Sequence, residues 1–305
     1  MNMSSGINDS TFNLICINII PQIYDRITSI VITHSSRVRT LSSISDNFNQ
    51  FVSLRKLTLL DIDSKSDLEH ILLKYQQQLS VLFIHTNKIE DETVISDICA
   101  MVLCEKSVNL RNCSLNFRNN CVFKNVTMSN IECLTIGWCS MSELFFLLIH
   151  TTKLRKLNIR YLCNYDYRTL GETHLMINNL NVFLYFVPFN NVELLLKYLP
   201  KLKKLTIKGQ LDDFNYTDSQ LWQTLLTSSL PLLTLFSLDI TILTRISDTR
   251  DIVDKFQTDF WTQRWNLTIS CRYHKSLILV VNGKQKINEQ QSLSNEIQES
   301  LSESC

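Results

Sequence analysis

Leu54–Leu59 reads LRKLTL, Leu154–Ile159 reads LRKLNI and Leu202–Ile207 reads LKKLTI. These three hexads are nearly the same sequence, and they start 100 and 48 residues apart, which is four and two steps of about 25 residues. A period in this range is typical of solenoids, in which stacked units share one core. The spacing therefore predicts a repeat architecture whose function lies on a long surface and not in a catalytic pocket.

Weaker copies of the same pattern fill the intermediate steps, and they start at Ile27, Leu79, Ile131, Leu180 and Leu233. In the long gap before Ile131, only the degenerate stretch Leu110–Phe117 fits. The shared template is apolar-x-x-apolar-x-apolar, and its last two apolar positions lie on one face of a short strand. Eight clear copies and one poor copy at near-constant spacing predict a repeat, which a single match would not do.

The segments between the hexads recur as well. Asp67–Tyr75, Ser142–Ile149 and Val192–Tyr198 all place apolar residues at helical spacing, and Asp67 or Ser142 would cap the start of its helix. Each unit is thus predicted to be a helix, a turn and a strand, which buries its apolar face only against neighbouring units. The predicted fold class is an α/β leucine-rich-repeat solenoid, a horseshoe with a parallel sheet on its concave face, helices on its convex face and an atypical C-terminal cap.

Four segments are predicted along the chain: a disordered N-terminus (1–10), the solenoid (11–245), the C-terminal cap (246–282) and a disordered tail (283–305). The tail is rich in Ser, Gln and Glu and poor in aromatic residues, a composition that cannot form a packed core.

In the cap, Asp251–Trp261 is predicted as a short helix, and Trp265–Tyr273 and Leu277–Val281 are predicted as strands. A solenoid must cover its last apolar face, and an atypical terminal element does this. We therefore interpret three aromatic residues as packing groups of the cap, with partner binding as the alternative for the tryptophans: Phe260, Trp261 and Trp265.

Composition narrows the possible functions. A hydrophobic fraction of 45% is enough for a continuous core, and the net charge of +1 gives no global attraction to nucleic acid or acidic membranes. No apolar run is long enough for a transmembrane helix, and the apolar stretch Phe12–Ile20 lacks the preceding Lys or Arg of a signal peptide. We expect a cytoplasmic or nuclear protein that binds no membrane.

The residues that usually carry chemistry form no recognisable motif. The ten cysteines include no C-x-x-C pair, the six histidines include no His-x-x-x-His pair, and there is no phosphate-binding loop or G-x-S-x-G segment. The cysteines are expected to be reduced core thiols, with an oxidised framework as the alternative. The sequence therefore predicts no enzyme, no cofactor and no metal site.

Three segments resemble the leucine-rich-repeat region of F-box proteins: LPKLKKLTI at Leu199–Ile207, ELLLKYLP at Glu193–Pro200 and FWTQRW at Phe260–Trp265. The resemblance extends from Ile27 to Val281. It implies a solenoid that recruits a protein substrate, while an N-terminal F-box docks on the adaptor of a cullin–RING ubiquitin ligase. Here the repeats already begin near Ile27, so adaptor binding is expected only if an F-box exists outside this chain.

Hexad positions 3 and 5, and the residue after the last apolar position, point away from the core and are predicted to line the concave face. The copy that starts at Leu180 places Val182 and Leu184 there. Two groups stand out as candidate partner-binding residues. The cationic group is Lys56, Lys156, Arg160, Lys204 and Lys208, and the aromatic or amphipathic group is Phe83, His85, Trp138, Tyr161 and Phe186.

Arginine and aromatic side chains are typical of binding hot spots, although surface lysines can also serve only to keep a sheet soluble. The predicted function is a protein–protein interaction module that binds a protein or peptide, with an acidic or phosphorylated segment as the best match to the cations. The alternatives are a free-standing scaffold with no ubiquitin link and a nucleic-acid-binding protein, which the low net charge disfavours.

Overall fold

The computed structural model of this protein describes residues 2–3, 9–34, 36–37, 51–164, 175–243, 250–273 and 277–286. The strands are β1 (Asn2–Met3), β2 (Ser29–Thr33), β3 (Lys56–Leu60), β4 (Val81–Thr86), β5 (Asn112–Asn120), β6 (Cys133–Ser140), β7 (Lys156–Cys163), β8 (Asn179–Tyr185), β9 (Lys204–Leu211), β10 (Leu235–Ile242), β11 (Trp265–Tyr273) and β12 (Leu277–Gln285). The helices are α1 (Asp9–Asn18), α2 (Ile20–Ile23), α3 (Lys65–Tyr75), α4 (Glu92–Val102), α5 (Met141–His150), α6 (Phe189–Lys197), α7 (Ser219–Ser228), α8 (Arg250–Lys255) and α9 (Asp259–Arg264), with 3₁₀ turns at Tyr24–Arg26 and Phe214–Thr217.

The strands form one open sheet of twelve, in the order β1 to β10, then β12, then β11. Every pair from β1 to β10 is parallel, whereas β12 pairs antiparallel with both β10 and β11. The prediction of a mixed α/β chain with a parallel sheet through the repeats is confirmed. The architecture is that of an open, solenoid-like α/β fold.

One backbone hydrogen-bond motif recurs at each step of the sheet from β2 to β10. The carbonyl oxygen of Thr28, just before β2, accepts from the N–H groups of both Arg55 and Lys56, at 2.9 and 3.0 Å. The same double acceptance recurs at the carbonyls of Arg55, Ser80, Arg111, Glu132, Arg155, Asn178 and Lys203. Because each acceptor precedes its strand by one residue, every unit is stacked on the next in the same register.

The apolar hexad positions form one continuous core. The first apolar residue of each predicted hexad is at most 6% exposed, and the alternating strand residues behind it are buried too, except in the copy predicted to start at Leu180. The core runs without interruption from Phe12 in α1 to Val281 in β12. Parallel strands with one face buried by helices require this alternation.

The hexad predicted to start at Leu180 was placed three residues too late in the sequence. The structure pairs Asn179 with Lys156 and Lys204, so the equivalent of the hexad's first residue is Ile177. Val182 and Leu184 are therefore in the core, at 1% and 0% exposure, and not on the opposite face. The alternating stretch Asn179–Tyr185 fits the template in two registers, and a shift by an odd number of residues exchanges its faces.

The helices begin earlier than predicted, and their caps differ. Ser64 caps α3 by accepting a hydrogen bond from the Asp67 N–H at 3.3 Å, and Ser140 caps α5 through the Glu143 N–H at 3.2 Å. Asp67 and Ser142, the predicted caps, instead lie inside the first turn. A cap residue has extended backbone geometry, and Ser64 and Ser140 both have it.

Near both termini, strands or helices lie within segments that the sequence assigned to disordered ends. Asn2–Met3 pairs with β2, and α1 begins at Asp9. β12 continues to Gln285, three residues into the predicted tail, and residues 287–305 lie outside the described residues. The single helix predicted at Asp251–Trp261 is two short helices, α8 and α9.

The cap packs as its aromatic residues predict. Trp261 and Trp265 are 0% and 1% exposed, and their rings lie 6.1 and 6.4 Å from that of Phe236 in β10. Phe260 is half-buried, with its ring 5.1 Å from that of Trp261. The tryptophans therefore close the end of the core and are not exposed for a partner.

A close approach of the β8 backbone to Gly209 predicts a large effect for a small substitution. A Cβ added at Gly209 in β9 would lie 2.5 Å from the carbonyl oxygen of Leu184 in β8. We expect Gly209→Ala to lower the free energy of unfolding by about 1–3 kcal/mol, because the obstacle is backbone. Urea denaturation followed by circular dichroism measures this. Gln210→Ala, on the exposed neighbouring residue, is the control, and equal midpoints for the two variants would contradict the prediction.

Candidate functional site

The face of the sheet opposite the core, here called the open face, is organised in rows that cross the strands. The first row consists of Ser29, Lys56, Val81, Asn112, Cys133, Lys156, Asn179, Lys204 and Leu235. The second row lies two residues further along each strand and consists of Val31, Thr58, Phe83, Ser114, Thr135, Asn158, Asn181, Thr206 and Ser237. The second row has no ionisable side chain, and hydroxyl and amide groups dominate it.

Charge is segregated between the strands and the rest of the chain. The described strands carry eight Lys or Arg residues and one acidic residue, Asp239, which is a formal charge of +7. The whole chain has a net charge of +1, so the remainder is acidic by six charges. The strands are therefore strongly cationic although the net charge of the whole chain is close to zero. The local electrostatic field of the sheet can attract an anionic ligand even so.

A groove of about 630 Å³ runs along the first two rows of the open face. In its C-terminal half the groove ends at Leu235 of β10, and its polar lining comes from three adjacent strands, β7, β8 and β9, with the side chains Lys156, Asn158, Asn179, Asn181, Lys204 and Thr206. Each of these six side chains can donate a hydrogen bond, and none can carry a negative charge. This part of the groove is suited to oxygen acceptors and to anions.

The cations of the open face are accessible. Lys156, Arg160, Lys204 and Lys208 are exposed, and among the described residues none of the four has an ion-pair partner within 4.0 Å. Asp239 lies opposite Lys208 in the register but forms no ion pair with it. Lys156 and Lys204 are two strands apart, which is about 10 Å. The sequence prediction of a basic group on this face is therefore consistent with the observed positions.

Beyond the second row, the open face carries an aromatic cluster of Trp138, Tyr161, Phe183, Tyr185 and Phe186. The rings of Trp138 and Tyr161 are stacked with centroids 4.3 Å apart. Tyr161 contacts Phe183 edge-on at 5.2 Å, and Tyr185 contacts Phe186 at 4.7 Å. Tyr161, Tyr185 and Phe186 keep 37%, 39% and 37% of their surface exposed. The mutual contacts fix the rings, while the cluster as a whole stays open to solvent.

Local irregularities of the strands place these rings. Arg160 and Tyr161 are consecutive and both exposed, and the pairing of β7 with β8 shifts register between Ile159 and Leu162. A bulge of this kind sends two neighbouring side chains to one face. Phe186 has φ of 52°, which is uncommon for a residue with a side chain, and its N–H donates to the Gln210 carbonyl at 2.9 Å.

The structure divides the predicted aromatic group into two parts. Trp138, Tyr161 and Phe186 belong to the aromatic cluster, but Phe83 and His85 lie on β4, two strands from Trp138. Phe83 lies beside Lys56, whose ammonium is 5.5 Å from the ring centroid. Sequence reasoning missed Phe183 and Tyr185 because of the wrong register at Leu180. The alternation of Asn179 and Asn181 with aliphatic residues was the signal that could have corrected it.

The cysteine thiols give no indication of a catalytic or metal-binding role. Of the nine described cysteines, six are buried and three are half-buried, and all are free. Burial raises the pKa of the Cys16 and Cys163 thiols to about 11, and it also raises the pKa of the Cys113 and Cys139 thiols. A thiol with a raised pKa stays protonated and is a poor nucleophile and metal ligand. Within the described ranges, no three His, Cys, Asp or Glu residues are grouped so as to hold a metal ion.

No protein-family model, no curated protein and no solved structure matches this chain. In the part of the chain that the structure describes, no helix combines the length and apolar character needed to cross a bilayer. The groove, the cations and the aromatic cluster of the open face are therefore the features from which a function can be inferred.

Proposed function

We propose that this chain is a leucine-rich-repeat protein that binds an acidic segment of a protein partner on the open face of its sheet. The observation that carries the proposal is the charge segregation: the strands bear a formal charge of +7 in a chain of net charge +1, and the exposed cations border a groove. Unpaired cations on one face steer an anionic partner towards it.

The rows and the aromatic cluster of the open face would bind different parts of the partner. The uncharged second row offers hydroxyl and amide groups to the backbone of a peptide that lies across the strands. Lys156 and Lys204 below it, and Arg160 and Lys208 beyond it, would pair with carboxylates of that peptide. The aromatic cluster would take an apolar side chain, since rigid Trp and Tyr residues next to Arg are typical hot-spot residues.

The ubiquitin connection extends this proposal. In the F-box proteins that the sequence resembles, the repeats recruit the substrate, so the acidic partner would be a degradation substrate here. Binding to a ligase adaptor is proposed only for a protein in which an F-box accompanies this chain. Co-purification of the full-length gene product with the adaptor tests the link, and its failure would leave a free-standing scaffold, in the cytoplasm or nucleus, as the remaining form of the proposal.

Nucleic acid is the second candidate, because cations and aromatic rings also bind single strands. The arrangement is less suited to it. The cations of β7 and β9 are separated by β8, which has none, and Trp138 and Tyr161 each have one ring face occupied by the other. A single strand needs a continuous cationic track and free ring faces for its bases.

Charge reversal in the groove tests the proposal. The probes are two libraries of fluorescent peptides that are identical except that fixed Asp and Glu positions in one are Asn and Gln in the other. We expect wild type to bind the acidic library, and Lys156→Glu with Lys204→Glu to weaken this binding at least about tenfold, because attraction becomes repulsion. Fluorescence anisotropy at low ionic strength measures the affinities.

The matched control is a double reversal outside the strands, Lys106→Glu with Lys201→Glu, which changes net charge equally at two exposed positions. The control is expected to keep affinity close to wild type. An equal loss of affinity in both double variants would show that the effect comes from the net charge of the chain and not from the groove. If the chain bound single-stranded RNA more tightly than the acidic library at every salt concentration, the nucleic-acid function would replace the proposed one.

A further inference from the structure

An acidic segment follows the last strand of the cationic sheet along the chain. Residues 287–305, here called the C-terminal segment, lie outside the described residues, and their sequence has no lysine, arginine or histidine. It contains four glutamates: Glu289, Glu296, Glu299 and Glu303. They account for four of the six net negative charges that lie outside the strands. The chain therefore supplies, directly after β12, a segment opposite in charge to the open face.

The C-terminal segment starts close to the groove of the open face. Because β12 runs antiparallel to β10, the last residues of β12 lie level with the first row. Lys284 is exposed on the open face, directly opposite Leu235, the residue at which the groove ends. The N–H of Gln285 donates to the Thr234 carbonyl at 2.9 Å and fixes the chain there. The segment thus begins within a few residues of the C-terminal end of the groove.

The C-terminal segment is long enough to reach the lysines of the groove. Neighbouring strands are about 4.8 Å apart, so Lys204 and Lys156, two and four strands away, lie about 10 and 19 Å from Lys284. An extended chain covers about 3.3 Å per residue, so about six residues span the longer distance. Glu289 and Glu296 come five and twelve residues after Lys284. Both glutamates are therefore within reach of these two lysines.

We propose that the C-terminal segment binds in the groove of its own chain and competes there with the acidic partner. Glu289 and Glu296 pair with Lys204 and Lys156, the cations that the partner also needs. The inference rests on the function proposed for the open face and adds a regulatory element to it. A partner then binds by displacing the segment, so only one with the higher affinity occupies the groove fully.

The tether favours this occupant over others. A segment joined to its site by a few residues has an effective concentration of about millimolar, so even a weak interaction fills the groove. The same segment of a second copy, in a micromolar solution, is about a thousandfold more dilute. The acidic run Glu90–Glu92 is held elsewhere, because Glu90 pairs with Arg118 at 2.6 Å and Asp91 accepts from the Thr93 N–H at the start of α4.

Removal of the C-terminal segment tests the inference. We expect the chain that ends at Lys286 to bind the acidic peptide library at least about fivefold more tightly than the full chain, because an intramolecular competitor is gone. The truncation removes no described strand or helix, and circular dichroism checks that the variant is folded. In the full chain, Glu289→Gln with Glu296→Gln should tighten binding in the same direction without shortening the chain.

The matched control is Glu92→Gln with Glu105→Gln, which removes the same two charges from exposed positions outside the strands. Its affinity for the library should stay within about twofold of wild type, because distant surface charges are screened. Equal affinities of the full and the truncated chain would overturn the inference. So would equal gains in the two glutamine variants, because net charge would then explain them.

A synthetic peptide with the sequence of residues 287–305 separates this inference from the proposed function. We expect it to bind the truncated chain in fluorescence anisotropy, and Lys156→Glu with Lys204→Glu to weaken this binding at least about tenfold. A truncated chain that binds the library but not the peptide would overturn the inference and leave the proposed function standing. Binding of the peptide but not of the library would support the inference and overturn the proposed function, and binding of neither would overturn both.

Sedimentation velocity tests whether the segment binds within one chain. The full chain and the truncated chain should both be monomers at micromolar concentration, since the tether lets the segment reach its own groove. A dimer of the full chain that dissociates on truncation would overturn the intramolecular binding, because the segment would then lie in the groove of a second copy.

Discussion

Leu157→Asp is expected to unfold the middle of the sheet. Leu157 is 2% exposed on the core side of β7, between Leu134 of β6 and Leu180 of β8. The substitution removes a buried aliphatic side chain and introduces a carboxylate with no partner, which together cost about 4 kcal/mol or more. Urea denaturation should show the loss, and hydrogen exchange should show it first in β6, β7 and β8, because units of a repeat fold depend on their nearest neighbours.

Asn158→Asp is the control for this experiment. It adds the same charge one residue further along β7, but Asn158 is half-buried on the open face, where water solvates the carboxylate. Its effect should stay within about 0.5 kcal/mol. A Leu157→Asp protein with a wild-type midpoint would show that β7 does not bury this side chain, and the core side of the sheet would have to be reassigned.

Trp222→Ala is expected to be the second most destabilising change. Trp222 in α7 is fully buried, and its ring lies 5.0 Å from that of Phe189 and 5.2 Å from that of Phe236. It joins α6, α7 and β10 in one aromatic group. Truncation would leave a cavity too large for its neighbours to fill, at a cost of about 3–5 kcal/mol. Differential scanning calorimetry measures the fall in melting temperature.

Trp222→Phe separates packing from hydrogen bonding. The indole N–H donates to the Tyr216 carbonyl at 3.0 Å, and phenylalanine keeps most of the ring but removes this donor. We expect a loss of about 1–2 kcal/mol, since a buried carbonyl would be left without its partner. If the two variants were equally destabilised, the hydrogen bond and not the ring packing would account for the role of Trp222.

Much of the fold could be read from local sequence. The hexads at Leu54, Leu154 and Leu202 placed three strands, and β11 was predicted at its observed bounds. Helices were recognised through their apolar spacing, although their first residues were missed. Caps depend on the backbone geometry of one residue, and Ser64, which is the cap, and Asp67, which was predicted, satisfy the same sequence rule.

The candidate site was predictable only in part. Lys156 and Lys204 were assigned to the correct face, because strong hexads fix the alternation around them. Phe183 and Tyr185 were assigned to the core, because Asn179–Tyr185 fits the template in two registers. The contact between Trp138 and Tyr161 depends on their pairing across β6 and β7, which no rule of alternation predicts.

The sequence by itself determined that this chain repeats a unit of about 25 residues and that each unit contributes a strand with one apolar side. Periodicity is a local property of the sequence, so it can be recognised without knowing which residues are neighbours in space. The tertiary structure alone decided which aromatic rings share a surface: Trp138 of β6 stacks on Tyr161 of β7 at 4.3 Å, and Tyr161 contacts Phe183 of β8, which the sequence had placed in the core. Stacking sets this arrangement, because pairing across strands brings distant residues within about 10 Å of each other.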